Sequence, residues 1–178
     1  MKTNDISRLI GGDQKKREKH DFYETPAYVI DYVLDNIHFE GNVWEPSCGK
    51  GAISKKLIER GYETRSSDLN DYGYGETGIN FLTTKETCDN VFSNPPFNIS
   101  TEYTLHALKI AKRKVVLLNK LTFLEGIKRR EQLFSLKKLS EVHVYSKRLS
   151  FNDKSGMLCF AWFVFDNEYY GESMIKWI

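Results

Sequence analysis

Along this chain the apolar positions switch back and forth between helical spacing and short continuous runs. In PAYVIDYVLDNI (26–37), Tyr28, Val29, Tyr32, Val33 and Ile37 recur at helical spacing, which predicts a helix with Thr25 as N-cap and Pro26 in its first turn. NVWEP (42–46) reads as a short strand, GAISKKLIERG (51–61) as a helix ended by Gly61, and YETRSSDL (62–69) as a second strand. CDNVFSNPP (88–96) is a third, buried strand, and the helix STEYTLHALKIAKR (100–113) follows, with Ser100 or Thr101 as its cap. The apolar KVVLLNK (114–120) is a strand, residues 125–137 suggest a basic helix, and EVHVYS (141–146) and MLCFAWFVFD (157–166) form two further strands. Only the loop at about 147–156 separates that last pair, so they can pair as an antiparallel hairpin on the sheet edge. Strand and helix alternate before that point, which implies a parallel sheet covered by helices on both faces. No internal repeat or low-complexity segment interrupts the pattern.

A chain of 178 residues, 40% hydrophobic and 13% aromatic, is long enough for one well-buried core and short for two. The expected organisation is a polar, basic arm over residues 1–20 and a single domain over residues 21–178. No apolar run approaches the roughly 20 residues of a membrane span, and MKTNDISRLIGGDQKK lacks the apolar centre of a signal peptide. A cytoplasmic protein without a membrane partner is the expectation. Cys48, Cys88 and Cys159 are odd in number and far apart, which suits neither a disulfide framework nor a zinc site; they are expected to be small core residues. His20, His38, His106 and His143 share no ligand spacing, so no metal is expected.

Net charge is only +2, but residues 109–148 carry twelve basic side chains against three acidic ones, and Lys15, Lys16, Arg17 and Lys19 form a second basic cluster. Such runs are solvated faces in most proteins, and they are also what a polyphosphate needs in order to release its counterions on binding. Nucleic acid is the partner this distribution favours.

Candidate chemistry belongs at the carboxyl ends of the strands, where an open α/β sheet leaves a crevice. Glu45-Pro46-Ser47-Cys48-Gly49-Lys50-Gly51 is a glycine-bearing turn from the first strand into a helix, and its bare backbone permits close approach of a ligand. It is not a phosphate loop: the glycine-lysine-serine or threonine ending is missing, and Glu45 would repel a phosphate while suiting a cationic amino group. Asp68 ends the second strand, where an acid can accept hydrogen bonds from ribose hydroxyls. The third segment is Ser93-Asn94-Pro95-Pro96-Phe97-Asn98, a stiff loop with an amide at one end and a ring at the other. Tyr72 and Tyr74 of NDYGYG either line the rim of such a site or pack the loop, the second being the plainer reading.

Together these segments resemble the S-adenosylmethionine-dependent amino-group methyltransferases, most closely the adenine-N6 DNA methyltransferases whose cofactor segments precede the catalytic loop. The resemblance covers about residues 21–151 and rests on YETP (23–26), WEPSCGKG (44–51), SSDL (66–69), INFL (79–82) and NPPF (94–97). It implies a Rossmann-like class I fold, a mostly parallel seven-stranded sheet with a terminal antiparallel hairpin. It also implies S-adenosylmethionine as cofactor, held by Tyr23, Thr25, Glu45, Pro46, Ser47, Gly49, Gly51, Asp68, Asn80, Phe81 and Asn94. Within that set Thr25 would meet the methionine carboxylate, Glu45 its amino group, Asp68 the ribose, and Asn80 with Phe81 the adenine. Asn80 stands where the family usually has aspartate; its carbonyl can still accept a hydrogen bond, without charge assistance.

The same resemblance makes Asn94, Pro95, Pro96 and Phe97 the catalytic loop. An exocyclic adenine amine is a poor nucleophile because its lone pair is delocalised into the ring. The Asn94 side-chain oxygen and the Pro95 carbonyl would accept hydrogen bonds from both its protons and favour the geometry that frees the pair. Phe97 would stack on the base, and Phe151 is the candidate for a second ring around a flipped nucleotide. Lys120, Arg129, Arg130 and Arg148, with Lys137 and Lys138, are the candidate phosphate contacts. A chain of this length resembles the small adenine methyltransferases encoded by phages and mobile elements, with DNA as the favoured substrate. RNA adenine, a protein glutamine amide, and an inactive nucleic-acid-binding module are the alternatives.

Overall fold

The computed structural model describes residues 24–149 and 158–178, so the basic arm, Tyr23 and Phe151 lie outside the described residues. Its helices are α1 (Ala27–Asn36), α2 (Ala52–Glu59), α3 (Ser100–Ile110) and α4 (Ile127–Gln132), and its strands are β1 (Val43–Glu45), β2 (Thr64–Asp68), β3 (Glu76–Thr77), β4 (Asn90–Ser93), β5 (Lys114–Lys120), β6 (Leu139–Val144), β7 (Phe160–Asp166) and β8 (Met174–Trp177). The strands form one sheet in the order β3-β2-β1-β4-β5-β7-β6-β8. Strands β1 to β5 are parallel, and β7 lies antiparallel between β5 and β6. This is the class I methyltransferase arrangement expected from the sequence, with β8 added beside β6 in parallel register.

Two details differ from the sequence reading of the last strands. β6 and β7 do pair antiparallel, but β7 sits inside the sheet, its residues Phe160 to Phe165 all buried, because it is long and apolar enough to pair on both sides. The edge is taken by β8, whose Met174, Ile175 and Trp177 are all exposed and so carry no inward and outward alternation to recognise.

Both faces of the sheet are covered, which explains the unbroken apolar run of β5. Val115 and Leu117 face the cluster containing Tyr103, Ala107 and Ile110 of α3, while Val116 and Leu118 face Val29, Ile30 and Val33 of α1 and Ile53 and Leu57 of α2. Helix starts differ from expectation. Pro26 occupies the N-cap of α1 with no side-chain cap, and Ile99 that of α3, because Thr25 and Ser100 are engaged elsewhere. The basic helix is shorter than expected: α4 gives way to a 3₁₀ turn at Phe134–Leu136 that Lys137 closes with φ 54°. Cys48 and Cys88 are buried, whereas Cys159 is exposed just before β7 and is not a core residue.

The order of strands decides where a ligand can sit. From β1 the chain winds outward through β2 to β3, then returns to the other side of β1 to build β4 and β5, so the switch point falls between β1 and β4. Glu45 ends β1, and Asn94 directly follows β4.

Candidate active site

At that switch point a cavity of about 270 Å³ opens, and the cofactor segments inferred from the sequence meet in it. Thr25, Glu45, Pro46, Ser47, Asp68, Asn80, Phe81 and Asn94 all line it, together with Pro96 of the stiff loop.

Glu45 is the buried end of β1 and is 2% exposed. Its Oε2 accepts hydrogen bonds from the Ser54 backbone N–H (2.7 Å) and from the Ser54 hydroxyl. Burial pushes its carboxyl up to about 8 against the pull of those two bonds, and the nearby Asp68 charge adds to the rise. Asp68 ends β2 and is also buried; its Oδ2 accepts from Gly49 N–H (3.0 Å) and its Oδ1 from Asn70 N–H (2.9 Å). Among the described residues no lysine or arginine forms an ion pair with either acid. Two acids held by neutral donors in one cavity favour a cationic ligand over an anionic one, since a cation would draw the Glu45 proton off.

The two glycines of the turn act on its shape. Gly49 (φ 51°) presents its N–H to Asp68, and neither it nor Gly51 lines the cavity. At Gly51 (φ 81°) the close neighbour is the Tyr74 ring, which occupies the space a Cβ would need. Tyr74 therefore packs the loop, as the plainer reading held, whereas Tyr72 reaches the cavity wall. Gly51→Ala is expected to lower stability by about 2 kcal/mol, the sum of a left-handed backbone penalty and the Tyr74 clash, measured by chemical denaturation. Adding Tyr74→Ala removes only the clash, so the double variant should recover part of the loss attributable to that pair.

The stiff loop is anchored at both ends. Asn94 Nδ2 donates to Thr25 Oγ1 (3.0 Å), a bond that ties the loop to the segment just before α1. Ser100 donates to Asn119 Oδ1 (2.6 Å), with the Phe97 carbonyl 3.1 Å from the same hydroxyl, which ties the far end of the loop to β5. The half-buried Phe97 ring lies away from the cavity wall, 5.5 Å from the Phe160 ring, with Lys120 Nζ 5.2 Å from its centroid.

The sequence reading did not single out Tyr103. This buried residue of α3 lines the cavity, its hydroxyl bridging Ser47 (3.1 Å) and Ser93 (3.1 Å), and its ring stands 4.5 Å from Phe81. Burial raises its phenol, so it serves as a neutral bridge between the β1 turn and the end of β4. The signal was a tyrosine on the apolar stripe of the helix that follows the loop. Asn80 is exposed and caps the 3₁₀ turn Phe81–Thr83, its Oδ1 accepting from Leu82 N–H at 3.1 Å. Cys48 lines the cavity, but burial and the two acids push its thiol up to about 12, which rules out a thiolate there.

The basic candidates divide into two kinds. Arg129 is spent internally, donating to Glu125 O (2.7 Å) and Thr122 O (3.3 Å) and lying over the Phe123 ring; Lys138 donates to Asn167 O (2.5 Å) and lies over Tyr170. Arg130, Lys137 and Arg148 are exposed. No group of three or more metal-binding side chains occurs among the described residues, and no helix among them is long and apolar enough to cross a membrane.

No protein-family model matches this chain, and no curated protein matches it. Solved structures do. A protein from Pyrococcus horikoshii described as an RNA methyltransferase superposes with a TM-score of 0.64 at 16% identity, over 85% of this chain and 90% of that one. The modification subunit described for a type I restriction enzyme of Vibrio vulnificus gives 0.67 at 13% identity, over 98% of this chain and 49% of that one, so this chain spans about half of that subunit. The magnesium protoporphyrin IX methyltransferase of Synechocystis, solved with bound SAM, gives 0.55 at 16% identity, over 77% and 76%. The fold is the class I methyltransferase fold. The cavity at the end of β1 and β4 lies where open α/β sheets in general leave a ligand crevice.

Proposed function

We propose that this protein transfers a methyl group from S-adenosylmethionine to the exocyclic N6 amine of adenine in DNA. The observation that carries the reading is the placement of Asn94-Pro95-Pro96-Phe97 directly after β4, with Asn94 lining the same cavity as Glu45 and Asp68.

The residues present fit that cofactor. Glu45 is a buried acid lacking a cation among the described residues, and the methionine amino group is a cation of the right kind. Asp68 keeps acceptor capacity on both oxygens for ribose hydroxyls, since each carboxylate oxygen takes more than one bond. The Thr25 hydroxyl accepts from Asn94 and can donate its own proton to a carboxylate. Phe81 and Asn80 supply a face and an acceptor for a purine, and Tyr103 holds Phe81 in place. Bound there, S-adenosylmethionine would supply an electrophilic sulfonium methyl.

The chain's part of the chemistry is positioning. Asn94 Oδ1 and the Pro95 carbonyl accept hydrogen bonds from the two amine N–H groups, so the nitrogen lone pair turns away from the ring and toward the methyl donor. Two prolines keep those acceptors from rotating away, and the Asn94–Thr25 bond couples them to the cofactor side of the crevice. Asn94 does not act as a base, and the extra proton leaves the amine after transfer. The exposed cations Arg130, Lys137 and Arg148 are the side chains placed to meet phosphates. Among the similar structures, the Vibrio vulnificus restriction subunit supports DNA as the substrate class.

The test is transfer of labelled methyl from S-adenosylmethionine to duplex DNA, single-stranded DNA, RNA and protein in parallel, with nucleoside and amino-acid analysis. Label in N6-methyladenine of DNA is the expected result. Label in RNA or in glutamine would retain the loop chemistry and overturn the substrate, and no label in any of them would overturn the reading.

A further inference from the structure

We infer that the turn at residues 122–127, carrying Leu124 and Ile127, is a wedge that enters the base stack of duplex DNA beside the nucleotide presented to Asn94. The inference rests on the DNA reading above and adds the element that opens the duplex, a task none of the crevice residues can perform from within the cavity.

Three observations meet at this turn. Its apolar side chains point into solvent: Leu124 is 40% and Ile127 74% exposed. Its backbone is nevertheless locked. Arg129 bridges the Thr122 and Glu125 carbonyls and lies 5.4 Å from the Phe123 ring centroid. Phe123 itself is buried edge-on against Phe163 at 5.2 Å, and Gly126 supplies a φ of 107° that other residues rarely adopt. A side chain presented this way loses little conformational freedom on insertion, which is what a wedge requires.

The turn is also tied to the catalytic loop from both sides. It leaves β5 at Lys120, whose ammonium lies 5.2 Å from the Phe97 ring, and at its other end Lys128 Nζ is 3.8 Å from Glu102 in the first turn of α3, the helix into which the loop leads. The apolar tip is thus joined, through Lys120–Phe97 and Lys128–Glu102, to the segment that follows Asn94. Cations outnumber acids around it: Lys128, Arg130 and Lys137 are exposed, against Glu125 in the turn and Glu131 after it. That combination of apolar tip and basic flanks is complementary to a duplex, where the cations settle on phosphates while isoleucine or leucine separates a base step. Separation beside the target lowers the unstacking penalty of flipping it out.

The test compares Ile127→Ala and the double variant Leu124→Ala/Ile127→Ala with the wild-type protein, using one adenine-containing oligonucleotide as duplex, as single strand, and as a duplex mismatched at the target adenine. The expected result is a loss of about tenfold or more in kcat/KM on the matched duplex, with less than about threefold on the single strand and partial recovery on the mismatch, since a mismatched base is already easier to extrude. Ile127→Leu should retain the duplex rate. Equal losses on all three substrates, or no loss on the duplex, overturn the wedge. A wild-type protein that methylates DNA only as single strands overturns it too, and one that methylates no DNA overturns it together with the reading beneath it.

Discussion

Asn94→Ala is expected to lower methyl transfer by two to three orders of magnitude while leaving the protein folded. The size follows from what the side chain does in the proposed mechanism: its oxygen is one of two preorganised acceptors aimed at the reacting amine, and removal of one such positioned group costs about 3–4 kcal/mol of barrier in comparable enzymes. Asn94 is only half-buried and belongs to neither apolar cluster of the core, so stability should change little. The measurement that separates positioning from collapse is single-turnover transfer beside a thermal melt. A tenfold effect or less would mean that Asn94 merely shapes the turn. Asn94→Asp is informative for a different reason: it restores an acceptor but loses the donor that holds Thr25, and adds a negative charge to a cavity that already contains the acids Glu45 and Asp68.

The second large effect belongs to Glu45. In the unligated protein its carboxyl titrates at about 8 rather than in the usual carboxylate range, chiefly because burial disfavours the charge. Since the folded value lies above the unfolded one, the native state holds a proton that the unfolded chain has released. Stability from this group is therefore present below about pH 4.5 and is lost as pH rises toward 8, by up to about 1.4 kcal/mol per pH unit. Glu45→Gln keeps an oxygen for the Ser54 donors and cannot ionise, so its melting temperature should pull ahead of the wild-type value as pH rises from 5 to 8.

Cofactor binding should respond in the opposite sense. If Glu45 holds the methionine ammonium, binding below pH 8 requires loss of its proton, so affinity for S-adenosylmethionine should tighten up to about tenfold per pH unit between 6 and 8. It should weaken again above pH 8 as the ligand's own α-amino group, with an ordinary pKa of about 7.7–8.0, loses its charge. Glu45→Gln should bind about 10- to 100-fold more weakly near pH 8, the value of a hydrogen bond between charged partners, and its acid limb should vanish. Calorimetric titration across pH reads all of this. An acid limb that survives in Glu45→Gln would assign the titration to another group.

Much of this architecture was legible in residue order. The alternation of VWE, the α2 stretch, TRSSD, NVFS and KVVLLNK specifies a parallel sheet because period and chain length leave few other ways to bury those runs. The acids and the proline loop were recognisable because each ends a predicted strand, and strand ends of one parallel sheet share a rim. Glu45, Asp68 and Asn94 are separated by 23 and 26 positions in the chain yet line one cavity.

Other assignments depended on partners that sequence does not name. Arg129 and Arg130 are neighbours of identical chemistry, but only Arg129 finds two carbonyls and a ring within reach, so one is a staple and the other faces solvent. Gly51 invited a ligand on paper, and in the fold the Tyr74 ring takes the space beside it. Tyr103 gained its place in the cavity only when α3 packed on β4. The sequence by itself determined the segments of β1, β2, β4 to β7 and of α1 to α3, and which acids and amide stand at those strand ends, since local period and stereochemistry are properties of the chain; β3, β8 and the true length of α4 were set by packing. Which polar groups bridge, which cations stay in water and which side chains face the cavity was decided by tertiary structure, because each depends on distances between atoms that exist only once the chain has folded.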